Sequence, residues 1–358
     1  MPPRVAFWTG AFDTEMEAVA AEVAVLRRRF PGSFAWGLSH RHWFLLSRAR
    51  GWCLHPRLHL VFRAVTRVLE PAFDINHLFG SLGDWFYLQG RRRRPTVVTM
   101  ATLQPPVAPT LLERVDRFVV EHPTGRDVLA RLGIESPRVR LIFPPVDLQR
   151  FRPTSPSPGP FTVLFASSPD KAAWLAARGV PAILDAAALR PHMRFRLLWR
   201  PWGDSQHPVR RWIEDRELHN VELVVGCASD MVSEYGHAHV TVAPFTDGER
   251  SKPAPNSLIE SLACGRPVLL SDVVGLADMI EEGGAGVVSP TTGDALATGL
   301  DRLRTDWDVY SARARQLAER WFDVRLFCDS YARLYSELHV GTVHPRRRER
   351  EPVCPRWS

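Results

Sequence analysis

Short apolar runs alternate with segments of helical spacing along the first half of the chain. The runs predict strands at residues 5–9, 75–79, 96–100, 118–121 and 139–143. Apolar residues that recur every three or four positions predict helices over 15–29 and 56–69. The second helix carries a stripe of Leu58, Val61, Val65 and Val68 opposite a row of arginines. Strands that alternate with helices are typical of a parallel sheet covered by helices.

A proline-rich segment, TSPSPGP at residues 154–160, precedes a second alternating series. Such a segment continues neither a helix nor the interior of a sheet, which predicts a linker. The second series predicts strands at 162–166, 195–199, 221–225, 240–243 and 268–270. It also predicts helices near 172–177, 181–189, 209–216, 257–264 and 276–281, and one or two closing helices within 306–338.

These elements divide the chain into a first domain at 1–153, the linker, a second domain at 161–322 and a closing helix at 323–340. The last stretch, 341–358, contains PRRRER and few apolar residues, so we expect a basic disordered tail. Both domains are predicted to be α/β, and two such domains imply a cleft between them. Ligands of these sheets bind beyond the carboxyl ends of the strands, which makes the cleft the expected site.

Composition narrows the class of protein. Of the 358 residues, 45% are apolar and 24% are charged, and no run of about 18 apolar residues occurs, so we expect neither a disordered nor a membrane-spanning chain. The opening residues lack the three regions of a signal peptide. The five cysteines include no C-x-x-C pair, which argues against a zinc cluster or a disulfide framework. We therefore expect a cytoplasmic protein.

The formal charge of +7 is unevenly distributed. Residues 1–155 hold 22 arginines and 13 acidic residues, so the surplus belongs to the first half. Such a surplus favours nucleic acid, an anionic membrane or a phosphorylated ligand. The run Arg91 to Arg94 is typical of a solvated turn, and no nucleic-acid motif accompanies it. Lys171 and Lys252 are the only lysines, which makes both candidates for a site that needs a compact, flexible cation.

The most informative stretch is residues 240–288, where a loop leads into a predicted helix. Asn256 or Ser257 can cap this helix after two loop prolines. The amides of Ser257 and Leu258, together with the helix dipole, suit a phosphate group. One turn further, the carboxylate of Glu260 can accept hydrogen bonds from a ribose diol. Ser257 and Glu260 also fit the S-x-x-E capping box, and this alternative, in which Glu260 bonds only backbone, stays open.

These residues resemble the retaining, nucleotide-sugar-dependent glycosyltransferases of group 1, or family 4. The block NSLIESLACGRPVL is similar to that family's E-A-x-A-x-G-x-P-V-V segment. The stretches RVDRFVVEHPTGRDVLARLGI and VRLIFPPVDLQRFRP resemble the end of its first domain, and FTVLFASSPDKAAWLAARGVPAILDA resembles the start of its nucleotide domain. The resemblance covers residues 115–335 well and 1–110 loosely. It implies the GT-B fold, in which two Rossmann-like domains face each other across a cleft.

The resemblance also implies roles for individual residues. Glu260 matches the second glutamate of the family's E-x7-E motif, which binds the ribose hydroxyls. Lys252 stands where the first glutamate, near the reaction centre, is expected, and its ammonium could bind the donor diphosphate or a sugar hydroxyl. Lys171 and Arg178 match the basic pair at the leaving diphosphate, with Arg200 as a third candidate. The alternative for each of these cations is a solvated surface charge.

Two features depart from the family's pattern. Met100 and Ala101 stand where a histidine is expected after the VVT strand. His77 and His122 lie at the ends of predicted strands and are candidates for its role, His122 being our catalytic candidate, with structural hydrogen bonding as the alternative. The loop TGAFDT has only Gly10 where the family has a glycine-rich loop, which makes Gly10 a candidate donor contact.

The expected activity is transfer of a sugar from a nucleoside diphosphate sugar to an unidentified acceptor, with retention of configuration and without a metal or other cofactor. A basic first half suits an anionic or phosphorylated acceptor, or an anionic membrane surface, so peripheral contact with the inner face of a membrane is a further expectation. Nucleic acid is not the expected partner. The alternatives are a catalytically degenerate GT-B protein that acts as a partner or scaffold, a nucleic-acid-binding protein, and a sugar-nucleotide epimerase of the same fold.

Overall fold

The computed structural model describes residues 2–14, 17–40, 42–47, 51–80, 93–102, 109–155, 158–228, 230–248 and 252–343. The first domain is built on an eight-stranded sheet in the order β3-β4-β2-β1-β5-β6-β7-β8. At one edge β3 pairs antiparallel with β4, while the other neighbours pair in parallel. The strands are β1 (Val5–Trp8), β2 (Phe34–Leu38), β3 (Phe44–Ser47), β4 (Gly51–Leu54), β5 (Ile75–Gly80), β6 (Thr96–Met100), β7 (Arg117–Val120) and β8 (Val139–Leu141).

Helices α1 (Ala18–Arg29), α2 (His59–Leu69) and α3 (Thr124–Arg131) cover this sheet. Helix α2 meets the sheet through Phe62, whose ring stacks on Trp52 of β4 with the centroids 5.3 Å apart. The apolar stripe that the sequence shows on this helix therefore faces away from the sheet. Val61 and Val68, two members of the stripe, are 52% and 77% exposed.

The second domain has a six-stranded parallel sheet in the order β11-β10-β9-β12-β13-β14. Its strands are β9 (Thr162–Phe165), β10 (Arg194–Trp199), β11 (Val221–Val225), β12 (Val240–Ala243), β13 (Val268–Leu270) and β14 (Gly286–Val288). Its helices are α4 (Val180–Leu189), α5 (Gln206–Asp215), α6 (Met231–His237), α7 (Asn256–Ala263), α8 (Ala277–Gly283), α9 (Gly293–Thr305) and α10 (Trp307–Trp321). A continuous apolar core joins this sheet to its helices.

The last helix, α11 (Val324–Val343), returns to the first domain. Phe327, Tyr331 and Tyr335 of this helix lie in the apolar core of the first sheet. The chain crosses between the domains at two points that lie side by side, because the Val146 amide donates to the Phe322 carbonyl oxygen at 2.7 Å. Helix α11 therefore completes the core of the first domain, and the two crossings lie next to each other.

The fold class predicted from the sequence, two Rossmann-like α/β domains of the GT-B type, is confirmed. The predicted strands at 96–100, 221–225, 240–243 and 268–270 coincide with β6, β11, β12 and β13. Strands β2, β3, β4 and β14 were not predicted, because they are short and three of them contain glycine. The helix predicted at 172–177 is wrong, since only one 3-10 turn forms at Ala172–Trp174.

The predicted tail overlaps the described residues only at its start. Residues 341–343 belong to α11, which corrects the boundary of the tail, and 344–358 lie outside the described residues. The run Arg91 to Arg94 lies only partly within them.

Candidate functional site

A cleft lies between the two domains at the carboxyl ends of the strands. On the second-domain side its walls include Ala166, Arg200 and Gly226, which directly follow β9, β10 and β11. On the first-domain side they include Thr14, Glu17, Ala18 and Ala21, at the beginning of α1. Parallel α/β sheets bind their ligands at this end of the strands. The start of α7 completes the cleft with Asn256, Ser257 and Glu260.

Glu260 lies in this cleft and is held by the hydroxyl of Tyr235 on α6. The hydroxyl lies 3.0 Å from Glu260 Oε2 and 3.0 Å from the carbonyl oxygen of Ser257. Burial raises the pKa of Glu260 to about 7, although the hydrogen bond from Tyr235 and nearby arginines act in the opposite direction. The capping-box alternative is wrong, because Pro255 stands at the cap of α7 and no side chain bonds the first amides. The carboxylate of Glu260 therefore faces the cleft and does not serve the backbone.

The first turn of α7 offers fewer amides than the sequence suggests. The Leu258 amide donates to the carbonyl oxygen of Pro255 at 3.0 Å, so the prediction of an unpaired amide at Leu258 is wrong. The helix begins with a tightened turn of the i→i+3 kind, which satisfies this donor within the chain. The Leu258 side chain is buried in the core. Ser257 remains in the cleft, with its hydroxyl 3.2 Å from that of Ser167.

Of the three cations predicted at the diphosphate, Arg200 is the one among the residues that line the cleft. Lys171 is exposed, and its ammonium lies 5.0 Å from the ring centroid of Trp174. Arg200 lines the cleft with Glu260. Burial and the neighbouring Arg200 lower the pKa of Arg178 to about 10, against the effects of Asp247 and Asp170. Two guanidinium groups close enough to influence each other favour an anion between or beside them.

Lys252 reaches across to the first domain. Its ammonium lies 2.5 Å from Glu22 Oε1 and 2.9 Å from Glu121 Oε2, and it donates to Asn256 Oδ1 at 3.1 Å. The Asn256 amide in turn donates to Glu22 Oε1 at 3.1 Å. We call these four residues the Lys252 cluster. The ammonium donates hydrogen bonds to Glu22 and Asn256, and the Glu121 carboxylate forms an ion pair with it. The structure therefore does not present Lys252 to a diphosphate or a sugar hydroxyl, nor as a solvated loop residue.

The Lys252 cluster is a buried ionic contact between the domains. Lys252 is 12% exposed, and Glu22 and Glu121 are 1% exposed. Burial and then the Glu22 carboxylate raise the pKa of Glu121 well above its ordinary value, against the effect of Lys252. Burial alone would lower the pKa of Lys252, but the two carboxylates outweigh it and raise this pKa. The net charge of one ammonium and two carboxyl groups is zero when one carboxyl keeps its proton. These pKa shifts favour that state.

His122 lies where the second domain approaches the first. Its ring lies against Gly275, where a side-chain Cβ would come within 3.0 Å of the ring. The Thr124 amide donates to His122 Nδ1 at 3.2 Å, so the proton of the neutral ring is on Nε2. Burial lowers the pKa of His122 to about 4, against the effect of Asp278. At neutral pH the ring is therefore an Nε2–H donor, and this geometry favours a hydrogen-bonding role over that of a general base.

The remaining candidates of the first domain lie apart from these groups. His77 is buried between Tyr335, at 2.6 Å, and Thr99, at 2.7 Å, which is a structural role. Burial lowers the pKa of His77 to about 3. Met100 and Ala101 are buried in the core. Gly10 is exposed, and a Cβ there would lie 3.3 Å from the Leu38 carbonyl oxygen.

Three residues of the site were missed by the sequence analysis. Glu22 interrupts the apolar face of α1, between Val19, Val23 and Leu26, and a charge in such a stripe is the signal that could have found it. Glu121 ends the apolar run FVVE in the same way. No sequence pattern indicated Tyr235, because only the packing of α6 on α7 brings its hydroxyl to Glu260.

Two facing Rossmann-like domains, with Glu260 and Arg200 in the cleft between them, define the GT-B fold. Residues 160–306, from just before β9 to the end of α9, match the family model described as glycosyl transferases group 1. The resemblance predicted from the sequence is confirmed for these residues, a shorter stretch than the expected 115–335. Among the described residues, no group of three or more His, Cys, Asp or Glu side chains is placed to hold a metal ion.

Solved structures share the whole architecture. HepE of Anabaena in complex with UDP-glucose superposes with a TM-score of 0.75 at 15% identity, covering 94% of this chain and 100% of that chain. Sucrose-phosphate synthase from Thermosynechococcus elongatus superposes with a TM-score of 0.74 at 16% identity, covering 95% of this chain and 100% of that chain. At these identities the likeness concerns the fold.

A curated relative is similar in sequence over part of its length. An exopolysaccharide phosphotransferase of Streptomyces coelicolor is 30% identical over 167 residues. The match covers 45% of this chain and 17% of that protein.

Proposed function

We propose that this protein transfers a glycosyl group from a nucleoside diphosphate sugar to a hydroxyl or similar nucleophile of an acceptor. The observation that carries the proposal is the placement of Glu260 beside Arg200 in a cleft formed by both domains. A carboxylate can accept both hydroxyls of a ribose, and an arginine can neutralise a diphosphate. HepE, which shares this fold, was solved in complex with UDP and glucose.

In this proposal the bond between the sugar's anomeric carbon and the diphosphate oxygen breaks, and a bond from that carbon to the acceptor oxygen forms. The acceptor oxygen attacks from the face that the diphosphate leaves, so configuration is retained. Its proton passes to the departing phosphate, so no protein base is needed. Arg200, Arg178 and the α7 terminus stabilise the negative charge that develops on the diphosphate, which makes a metal unnecessary. His122 Nε2–H is the proposed donor toward the sugar side, and closure of the domains excludes water.

The acceptor is proposed to be anionic or phosphorylated, because the basic surplus of the chain lies in its first half. A cytoplasmic protein with peripheral contact to the inner face of a membrane fits this distribution. The phosphotransferase named among the relatives is about six times longer than the segment it shares with this chain, given the 17% coverage. We therefore propose glycosyl transfer and not phosphotransfer, and the product distinguishes them.

A panel of nucleotides and nucleotide sugars tests the proposal. We expect UDP or another nucleoside diphosphate to raise the melting temperature. At a concentration 100 times its Kd, such a ligand stabilises the native state by about 3 kcal/mol. Its sugar conjugate should lose the sugar slowly to water or to an added acceptor, detected by mass spectrometry. Stabilisation without any turnover would support the degenerate GT-B partner or scaffold instead, and transfer of a sugar phosphate would support a phosphotransferase.

The raised pKa of Glu260 predicts how binding depends on pH. Because this pKa is about 7 in the free protein, the carboxyl is protonated at lower pH, and hydrogen bonds from ribose favour the ionised form. UDP affinity should therefore rise with pH until it levels off above about 7, by up to about tenfold per pH unit below that value. Calorimetry on Glu260→Gln, which cannot ionise there, is the control for titration of the nucleotide phosphate itself. Equal pH dependence in both proteins would contradict the assignment.

A further inference from the structure

The outer side of the first domain carries a concentration of exposed apolar side chains. Among the described residues, 14 large apolar side chains are exposed, and 8 of them lie within residues 43–69. The other 6 are scattered from 189 to 326. Single exposed apolar residues are ordinary, whereas a contiguous group marks an interaction surface.

Part of the group lies on the solvent side of α2. Leu60, Val61 and Val68 are 68%, 52% and 77% exposed, and Ala64 lies between them on the same helical face. Phe62 and Thr66, on the opposite side of the helix, are buried against the sheet. Helix α2 is therefore apolar on both sides, and its outward side has no cover in the described part of the chain.

The edge strand β3 extends the same surface. Phe44 and Leu46 pair with Leu54 and Trp52 of β4, so their side chains lie on the side of the sheet that these two residues occupy. Trp52 stacks on Phe62 of α2, which shows that this is the side covered by α2. Phe44 and Leu46 are 62% and 66% exposed, just beyond the helix.

Trp43 and His55 connect the two parts. The Trp43 ring stacks on the His55 ring with the centroids 4.4 Å apart, and the Arg57 guanidinium lies 6.0 Å from the Trp43 ring. Arg57 is in the turn that leads directly into α2. We call the exposed residues of this surface the outer patch: Trp43, Phe44, Leu46, Arg57, Leu58, Leu60, Val61, Arg63, Ala64, Arg67, Val68 and Leu69.

Charge identifies the kind of partner. Residues 43–69 contain five arginines and no acidic residue. On α2, Arg63 and Arg67 are one turn apart and flank the apolar face on one side. Apolar and aromatic side chains bordered by arginines are typical of a helix that lies in the interface of an anionic bilayer. No helix in the described ranges is long and apolar enough to cross a membrane, so the contact would be with one face.

We infer that the outer patch binds the surface of an anionic lipid bilayer, with α2 lying in the interface and Trp43 and Phe44 inserted beside it. This inference does not rest on the proposed glycosyl transfer, because it concerns a different surface. Failure of vesicle binding would leave the nucleotide experiments unaffected, and failure of the nucleotide experiments would leave this inference unaffected.

Co-sedimentation of the full chain with vesicles tests the inference. We expect binding to vesicles that contain phosphatidylglycerol, weak binding to phosphatidylcholine alone, and partial release by salt. The double variant Leu60→Glu/Val68→Glu should bind the vesicles at least about tenfold more weakly, because it removes apolar contact with the bilayer. Arg63→Gln and Arg67→Gln should each weaken binding about fivefold, the effect of one basic side chain near an anionic surface.

Matched variants elsewhere supply the controls. Val309→Glu changes a valine that is 50% exposed on α10, and Arg210→Gln/Arg211→Gln changes two exposed arginines on α5. Both should bind vesicles like the unchanged protein. Should a glutamate variant fail to fold by circular dichroism, Val68→Ser replaces it, since that residue is solvent-exposed.

Two results would overturn the inference. The first is an unchanged protein that does not bind anionic vesicles, or patch variants that bind as well as the controls. The second is a dimer seen by sedimentation velocity without lipid and dissociated by Leu60→Glu/Val68→Glu. That result would assign the outer patch to a second copy of the chain.

Discussion

Replacement of Lys252 by methionine is expected to destabilise the closed protein by about 3 to 5 kcal/mol, the usual cost of removing one partner from a buried ion pair. The reason is that Glu22 and Glu121 are 1% exposed and would lose the ammonium that lies 2.5 and 2.9 Å from them. Because the contact joins the two domains, the cleft should open to let water reach the carboxyl groups. A lower midpoint in chemical denaturation and a larger radius of gyration by X-ray scattering are the measurements.

The chain offers a matched control, since Lys171 is its other lysine and lies exposed on the surface. Lys171→Met should change stability by no more than about 0.5 kcal/mol. The double variant Lys252→Met/Glu121→Gln should recover part of the loss, because it removes one of the two carboxyl groups left without a cation. A Lys252→Met protein as stable and as compact as the original would show that the cluster contributes nothing to closure.

Replacement of Glu260 by alanine is expected to weaken UDP binding about 10-fold to 100-fold, the range for hydrogen bonds to a charged group. Glu260 is the carboxylate of the cleft that lies with Arg200 at the carboxyl ends of the second sheet. Glu260 is proposed to bind the ribose diol, so the loss of affinity should also appear with uridine, which has no phosphate. Isothermal titration calorimetry measures both ligands.

Two variants separate binding from structure. Glu214→Ala removes an exposed glutamate of α5 and should leave UDP affinity unchanged. Tyr235→Phe keeps Glu260 but removes the hydroxyl at 3.0 Å that orients it, so a smaller loss is expected. Should Glu260→Ala bind UDP and uridine as tightly as the original, the ribose contact must lie elsewhere in the cleft.

The Lys252 cluster and the cleft between the domains are physically connected. Asn256 belongs to both, because it lines the cleft and also bonds Lys252 and Glu22. Helix α1 likewise supplies Glu22 to the cluster and Ala18 and Ala21 to the cleft wall. A change in the cluster is therefore expected to move both walls, and Lys252 is expected to affect UDP binding by positioning them.

Local sequence patterns determined the architecture and one part of the site. Apolar runs of strand length predicted the interior strands β6, β12 and β13, because a strand buried on both faces is apolar along almost its whole length. They also predicted the edge strand β11. The position of Glu260 one turn into α7 followed from two loop prolines and the apolar residues after them, which are local signals. The predicted cap at Asn256 or Ser257 is wrong, because Pro255 occupies that position. The order of domains and the cleft followed from the alternation of strands and helices.

Only the tertiary structure decided what the side chains meet. The sequence predicted that the Lys252 ammonium could bind the donor. In the structure it pairs instead with two carboxyl groups from distant parts of the first domain. The stripe on α2 was visible as a pattern, yet periodicity reports that a helix has an apolar face and not whether another element covers it. Partners more than a hundred residues apart are brought together by packing, which no local pattern encodes.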